Sequence, residues 1–159
     1  MLESNNAKKH RKNNGKEVNI PIDQSDKDLI ESLDRLGYLP KDFQGGFLYK
    51  LLEHVNPKIR FLAAKNVAKL SQAKSLEPLW DAFRKEDNTN TKREIVSAIG
   101  RLRIPQNKPY LFEILQNDDP KVVCQAIRGL LVFNDDVLVE RKLKPLLNHE
   151  NEIVRTVSY

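Results

Sequence analysis

Three histidines and one cysteine bound the chemistry open to this chain. His54 follows Glu53 and His149 precedes Glu150, so each imidazole has a carboxylate beside it, as a metal site would use. The two His lie far apart in the sequence, and His10 falls in a polar N-terminal stretch. These cannot supply a His-rich metal site. Cys124 stands alone, which rules out an internal disulfide and any zinc site made of several thiolates. Arg128 lies one helical turn from it, but no His accompanies it. A packed thiol is expected there rather than a reactive thiolate. Gly45–Gly46 reads as a turn, and no Gly-rich phosphate loop is present. Trp80–Asp81 is the one aromatic–acid pair to weigh, and Trp80 falls on an apolar helix position. No catalytic, cofactor-binding or metal-ligating set is found, and a non-enzymatic chain without a cofactor is expected.

The elements that would position these residues recur. Four stretches align: Asn56-Pro57-Lys58-Ile59-Arg60, Asn88-Thr89-Asn90-Thr91-Lys92, Asp119-Pro120-Lys121-Val122-Val123 and Asn151-Glu152-Ile153-Val154-Arg155. The leading Asn or Asp returns after 32, 31 and 32 residues. Eight positions before it stand Leu48, Trp80, Leu111 and Leu143, and five before it Leu51, Phe83, Ile114 and Leu146. Seven after it stand Ala63, Ile95, Ala126 and Ser158, and fourteen after it Leu70, Leu102 and Phe133. An Asn or Asp at this place reads as an N-cap. Pro57 and Pro120 then occupy the first helical position, where proline forfeits no hydrogen bond. Each unit is thus an outer helix (47–56, 76–88, 108–119, 140–150) followed by an inner one (57–70, 89–103, 120–133, 151–159). A pair of this kind shows an apolar stripe that only a stacked neighbour can bury. The pattern predicts an all-α, right-handed α-solenoid of about four helical hairpins across 46–159. Residues 20–45 form a lead-in helix and loop, the helix starting near Ser25 and closed by Gly37. Residues 1–19 are too polar to fold and are expected to be a disordered basic tail.

The unit resembles the HEAT repeat, in particular the short variety named after phycobilin lyases, whose inner helix reads Asp-Pro-x-Val-Arg-x-x-Ala. Asn56-Pro57-Lys58-Ile59-Arg60 with Ala63, Ala64 and Leu70 is the nearest copy, and Asp119-Pro120-Lys121-Val122 with Ala126 the next. The second copy departs with Thr91-Lys92, and the third has Val123 where Arg is usual. The resemblance covers about 46–159 and speaks for the fold. Deoxyhypusine hydroxylases, phycobilin lyases and HEAT-like DNA glycosylases resemble it too. The His-Glu ligand set of the first is missing here, as are a chromophore pocket and a convincing aromatic–acid pair in a basic cleft for the others. The fourth copy stops after about two turns, on Val154, Val157 and Tyr159. Arrays of this type usually end on a polar capping unit, so truncation within the last repeat of a longer protein is expected.

Charge points to a partner. The chain has a formal charge of +5, and its first 25 residues hold five basic side chains (among them the Lys8–Lys12 cluster) against three acids, so the rest carries a net +3. Sorted by helix, the inner segments hold eleven basic residues and two acids, the outer ones seven and ten. Inner helices line the concave face of a solenoid, its usual binding surface. The residues expected to face a partner are Lys58, Phe61, Lys65, Lys69, Arg93, Arg101, Lys121 and Arg128. The expected function is a scaffold or interaction module holding a macromolecule on a basic concave face, a protein in the first instance. The alternative is a nucleic-acid-binding module, the N-terminal arm of a longer nucleic-acid-modifying enzyme. Phe61 is the one aromatic residue available to stack on a base, which disfavours single strands. No small molecule is evident. No apolar run approaches the roughly 20 residues that span a bilayer, and the N-terminus lacks the apolar core of a signal peptide, so a cytoplasmic location without membrane contact is expected.

Overall fold

The computed structural model describes residues 24–40 and 42–158; the tail expected over 1–19, with His10 and the Lys8–Lys12 cluster, lies outside them. Nine α-helices follow one another among the described residues, with no strand. They are α1 (Asp26–Asp34), α2 (Gly46–Leu51), α3 (Pro57–Leu70), α4 (Leu76–Lys85), α5 (Thr89–Arg101), α6 (Lys108–Ile114), α7 (Pro120–Leu130), α8 (Val137–Leu143) and α9 (Glu152–Ser158). Short 3-10 turns precede α4 and α6, and a third, Lys144–Asn148, follows α8. The chain is all-α, and no helix among the described residues is long and apolar enough to cross a membrane.

The helices start where the caps predict. Asn56 accepts from the backbone N–H of Lys58 at 2.9 Å, Asn88 from Thr91 at 3.1 Å, Asp119 from Lys121 at 2.8 Å and Asn151 from Ile153 at 2.9 Å. Each takes up one of the N–H groups that a helix start leaves without a partner. The ends follow the pattern less closely. α2 stops at Leu51 rather than near Asn56, and α6 at Ile114 rather than near Asp119. The amides of Leu52 and Leu115 are shared between carbonyls four and three residues back, and those of Glu53, His54, Gln116 and Asn117 turn to the carbonyl three back, tightening the last turn. The fourth outer segment starts early, at Val137, because Asp136 caps it through the Val139 N–H. It then tightens to a 3-10 turn at Pro145, which has no N–H to continue an α-helix.

Packing sorts the helices into two kinds. α3 packs on α5, α5 on α7 and α7 on α9, while α2, α4 and α6 lie against α3, α5 and α7 respectively. The residues eight before each cap, Leu48, Trp80, Leu111 and Leu143, are all buried, as are Ala63, Ile95 and Ala126. α1 packs on α3 as well. Asn66 donates to the carbonyls of Leu33 and Leu62, and Lys69 Nζ reaches the Gly37 carbonyl at 3.2 Å. Asn56 Nδ2 donates to Asp26 at 2.9 Å. The lead-in helix is therefore fastened along the free flank of α3. Gly37 takes a left-handed φ of 60°, two residues beyond the Arg35 C-cap rather than directly after it, where Leu36 stands.

α5 and α7 meet through glycines. A Cβ on Gly129 would lie 2.8 Å from the Gly100 Cα, and one on Gly100 2.9 Å from the Gly129 Cα. No side chain fits between these backbones. Gly129→Ala is expected to lower stability by about 1–3 kcal/mol, because overpacking exceeds the roughly 1 kcal/mol of helix propensity gained. Gly46, at the open start of α2, meets nothing within 4 Å, so Gly46→Ala should be neutral or stabilise by up to about 1 kcal/mol. Denaturant unfolding of the two variants beside the parent measures both. Equal losses would remove the close crossing as the cause.

Hydrogen bonding to Lys108, and then to the Val139 N–H, holds the Asp136 carboxyl below its usual range. A depressed folded value contributes stability that is present above the ordinary carboxylate pKa and lost as pH falls through the folded one. The difference in Tm between the parent and Asp136→Asn should therefore be seen at neutral pH and shrink below about pH 4.

Candidate interaction groove

Every turn from an outer to an inner helix is built alike. The side chain two residues before the cap accepts the backbone N–H of the cap itself. His54 Nδ1 does so at 3.0 Å, Glu86 Oε1 at 3.1 Å, Asn117 Oδ1 at 2.9 Å and His149 Nδ1 at 3.0 Å. An accepting Nδ1 places the ring proton on Nε2 and the imidazole in its neutral form. His54 and His149 are thus corner acceptors at matching places in two repeats. Both His stand two residues before a cap Asn, as the repeat register shows, but the signal that unites them with Glu86 and Asn117 is accepting capacity rather than residue type. Among the described residues no three His, Cys, Asp or Glu side chains gather as a metal set.

The basic residues four beyond three of the caps, Arg60, Lys92 and Arg155, serve the same corners. Arg60 donates Nε and Nη2 to the two oxygens of Glu86, at 2.7 and 3.0 Å, and Nη1 to the carbonyls of His54 and Val55. Glu86 is 5% exposed, and Arg60 covers both of its carboxylate oxygens. The same hydrogen bond is the main cause of the raised Arg60 pKa. Arg155 reaches the His149 carbonyl at 2.6 Å, and Lys92 lies 6.0 Å from the centre of the Phe83 ring. Three of the inner-helix cations are therefore structural.

The others divide. Lys58, Phe61, Arg93, Arg101 and Arg128 line one groove of about 680 Å³ over α3, α5 and α7. Lys65 and Lys121 are exposed but do not line it, and Lys69 is engaged with Gly37. Among the described residues none of Lys58, Arg93, Arg101 and Arg128 forms an ion pair. Glu94 is the acid that lines the groove with them, and Asn90, Ser97 and Gln125 add uncharged polar groups. A smaller hollow of about 280 Å³ shares Ser97, Arg101, Gln125 and Arg128 with the groove and adds Arg103. The net field is positive, and the walls offer hydrogen-bond donors. Phe61 is half-buried and gives one apolar wall. The helical charge count selected the four cations, Phe61 was selected as the one available aromatic residue, and Asn90, Ser97 and Gln125, which carry no charge, were missed.

Cys124 is buried on α7, and desolvation raises its pKa, although Arg128 and Arg93 pull the other way. It should remain a thiol at neutral pH and react slowly with iodoacetamide in the folded protein, then rapidly in denaturant; fast native labelling would contradict the packed thiol. Glu86→Ala leaves the part-exposed Arg60 without its partner. It should cost about 2 kcal/mol, between the values for exposed and fully buried pairs, measured by denaturant unfolding.

Comparison of the sequence with protein-family models and with curated proteins returns no match.

Proposed function

We propose that this chain is a HEAT-like α-solenoid interaction module, non-catalytic, that holds an anionic macromolecule in the groove over α3, α5 and α7. One observation carries this: four cations share that groove with one acid, and no ion pair among the described residues neutralises them. Charge left unpaired on a concave surface draws a partner of opposite sign and speeds its encounter. The 31–32-residue register and the stacking of α3, α5, α7 and α9 support the repeat assignment. Right-handed winding and a cytoplasmic location belong to the same proposal. A protein partner is the first reading. Nucleic acid is the second, favoured by the arginines and disfavoured by the scarcity of aromatic side chains in the groove.

Reversing Lys58, Arg101 and Arg128 to Glu should abolish binding of polyglutamate at low salt while leaving the Tm within a few degrees of the parent. Unchanged binding by that variant removes the groove as the interaction surface. With a DNA duplex as the probe, four groove cations would give a slope of log K against log salt no steeper than about −3.6, since each neutralised phosphate contributes about −0.9.

A further inference from the structure

The groove's cations are not spread evenly. Arg101 follows Gly100 and Arg128 precedes Gly129, the residues through which α5 and α7 come into backbone contact. That crossing sets the two arginines on adjoining positions, and both line the groove and the smaller hollow beside it. At the other end, Lys58 comes from the first turn of α3 and Arg93 from the first half of α5. Arg93 and Arg101 are eight residues apart on one helix, an axial separation of about 12 Å. The groove thus has two cationic ends, with Ser97 between them on α5, Asn90 beside the Arg93 end and Gln125 beside the arginine pair.

Resting on the groove's role as an interaction surface, we propose that its occupant is an extended acidic peptide segment with two carboxylates four residues apart. A polyproline-II chain rises about 3.1 Å per residue, so a four-residue step covers about 12 Å, the separation of the two ends. Arginine takes a carboxylate through paired N–H donors, which suits the Arg101–Arg128 end. Asn90 and Gln125 each offer a donor and an acceptor. An extended peptide makes no internal hydrogen bonds and presents both N–H and C=O to such groups. Phe61 and Pro57 form an apolar wall for one intervening side chain.

Nucleic acid fits this arrangement less well. A DNA backbone offers the amides only acceptors, and a DNA duplex brings a charge about every 1.7 Å. Two sparse cationic ends with Glu94 within the groove match a sparse carboxylate pattern instead.

The test uses fluorescein-labelled proline-rich peptides of one composition, with two glutamates placed four residues apart or adjacent, read by anisotropy at low salt. The four-residue spacing should bind at least fivefold more tightly. Arg101→Gln with Arg128→Gln should remove that preference, and Lys121→Gln, outside the groove, should leave it intact. All three sites are exposed, so these variants are expected to fold. Equal affinity for both peptides overturns the proposal, as does tighter groove-dependent binding of a single-stranded or duplex oligonucleotide; either result leaves the groove standing as an interaction surface. If neither peptide, polyglutamate nor oligonucleotide binds, the groove assignment falls along with the proposal.

Discussion

Each inner helix of this protein has to begin inside a tight reversal, and a reversal of that kind strands backbone N–H groups that must find acceptors. The chain solves this four times with one device. A side chain at the cap takes an N–H of the first turn, and a side chain two residues earlier takes the N–H of the cap. With both acceptors in place, the outer helix must end where it does and the inner helix leaves at a fixed point. The apolar positions then fall at the same distance from each corner, which is why Leu48, Trp80, Leu111 and Leu143 all end up buried. Arg60 adds a brace: it ties the carbonyls of one corner to Glu86 of the next, so neighbouring corners share a charge pair as well as a core.

Much of this was legible in the residues, for a physical reason. Caps and apolar spacing are local signals, and a local signal repeated at a constant interval reinforces itself. Asn56, Asn88, Asp119 and Asn151 were therefore readable as helix starts. Helix ends were harder to read, because they depend on carbonyl partners and on where the next corner pulls the chain; α2 and α6 end before their apolar patterns do. The position of α1 was hidden for a related reason. It lies on α3 with Asn66 donating to the Leu33 carbonyl, and Lys69, expected to face a partner, reaches the Gly37 carbonyl instead.

The candidate site was half legible. A charge count on helical segments finds the cations, but not which way each one points. Arg60, Lys92 and Arg155 share one register position and turn to the corners, whereas Lys58, Arg93, Arg101 and Arg128 sit on other positions and meet in a groove. Register position, more than residue type, separates braces from groove-lining residues. Val123 stands at the bracing position of the third repeat and is buried, so that corner is held by packing rather than by charge.

The glycine crossing has a mechanical side. Where two helices meet through side chains, interdigitation resists both separation and rotation. Where Gly100 and Gly129 meet, the distance is set by backbone against backbone, and no side chain is there to compress. Arg101 and Arg128 adjoin those glycines in the sequence, so the closeness of the two backbones also sets how near together the arginine stems leave their helices.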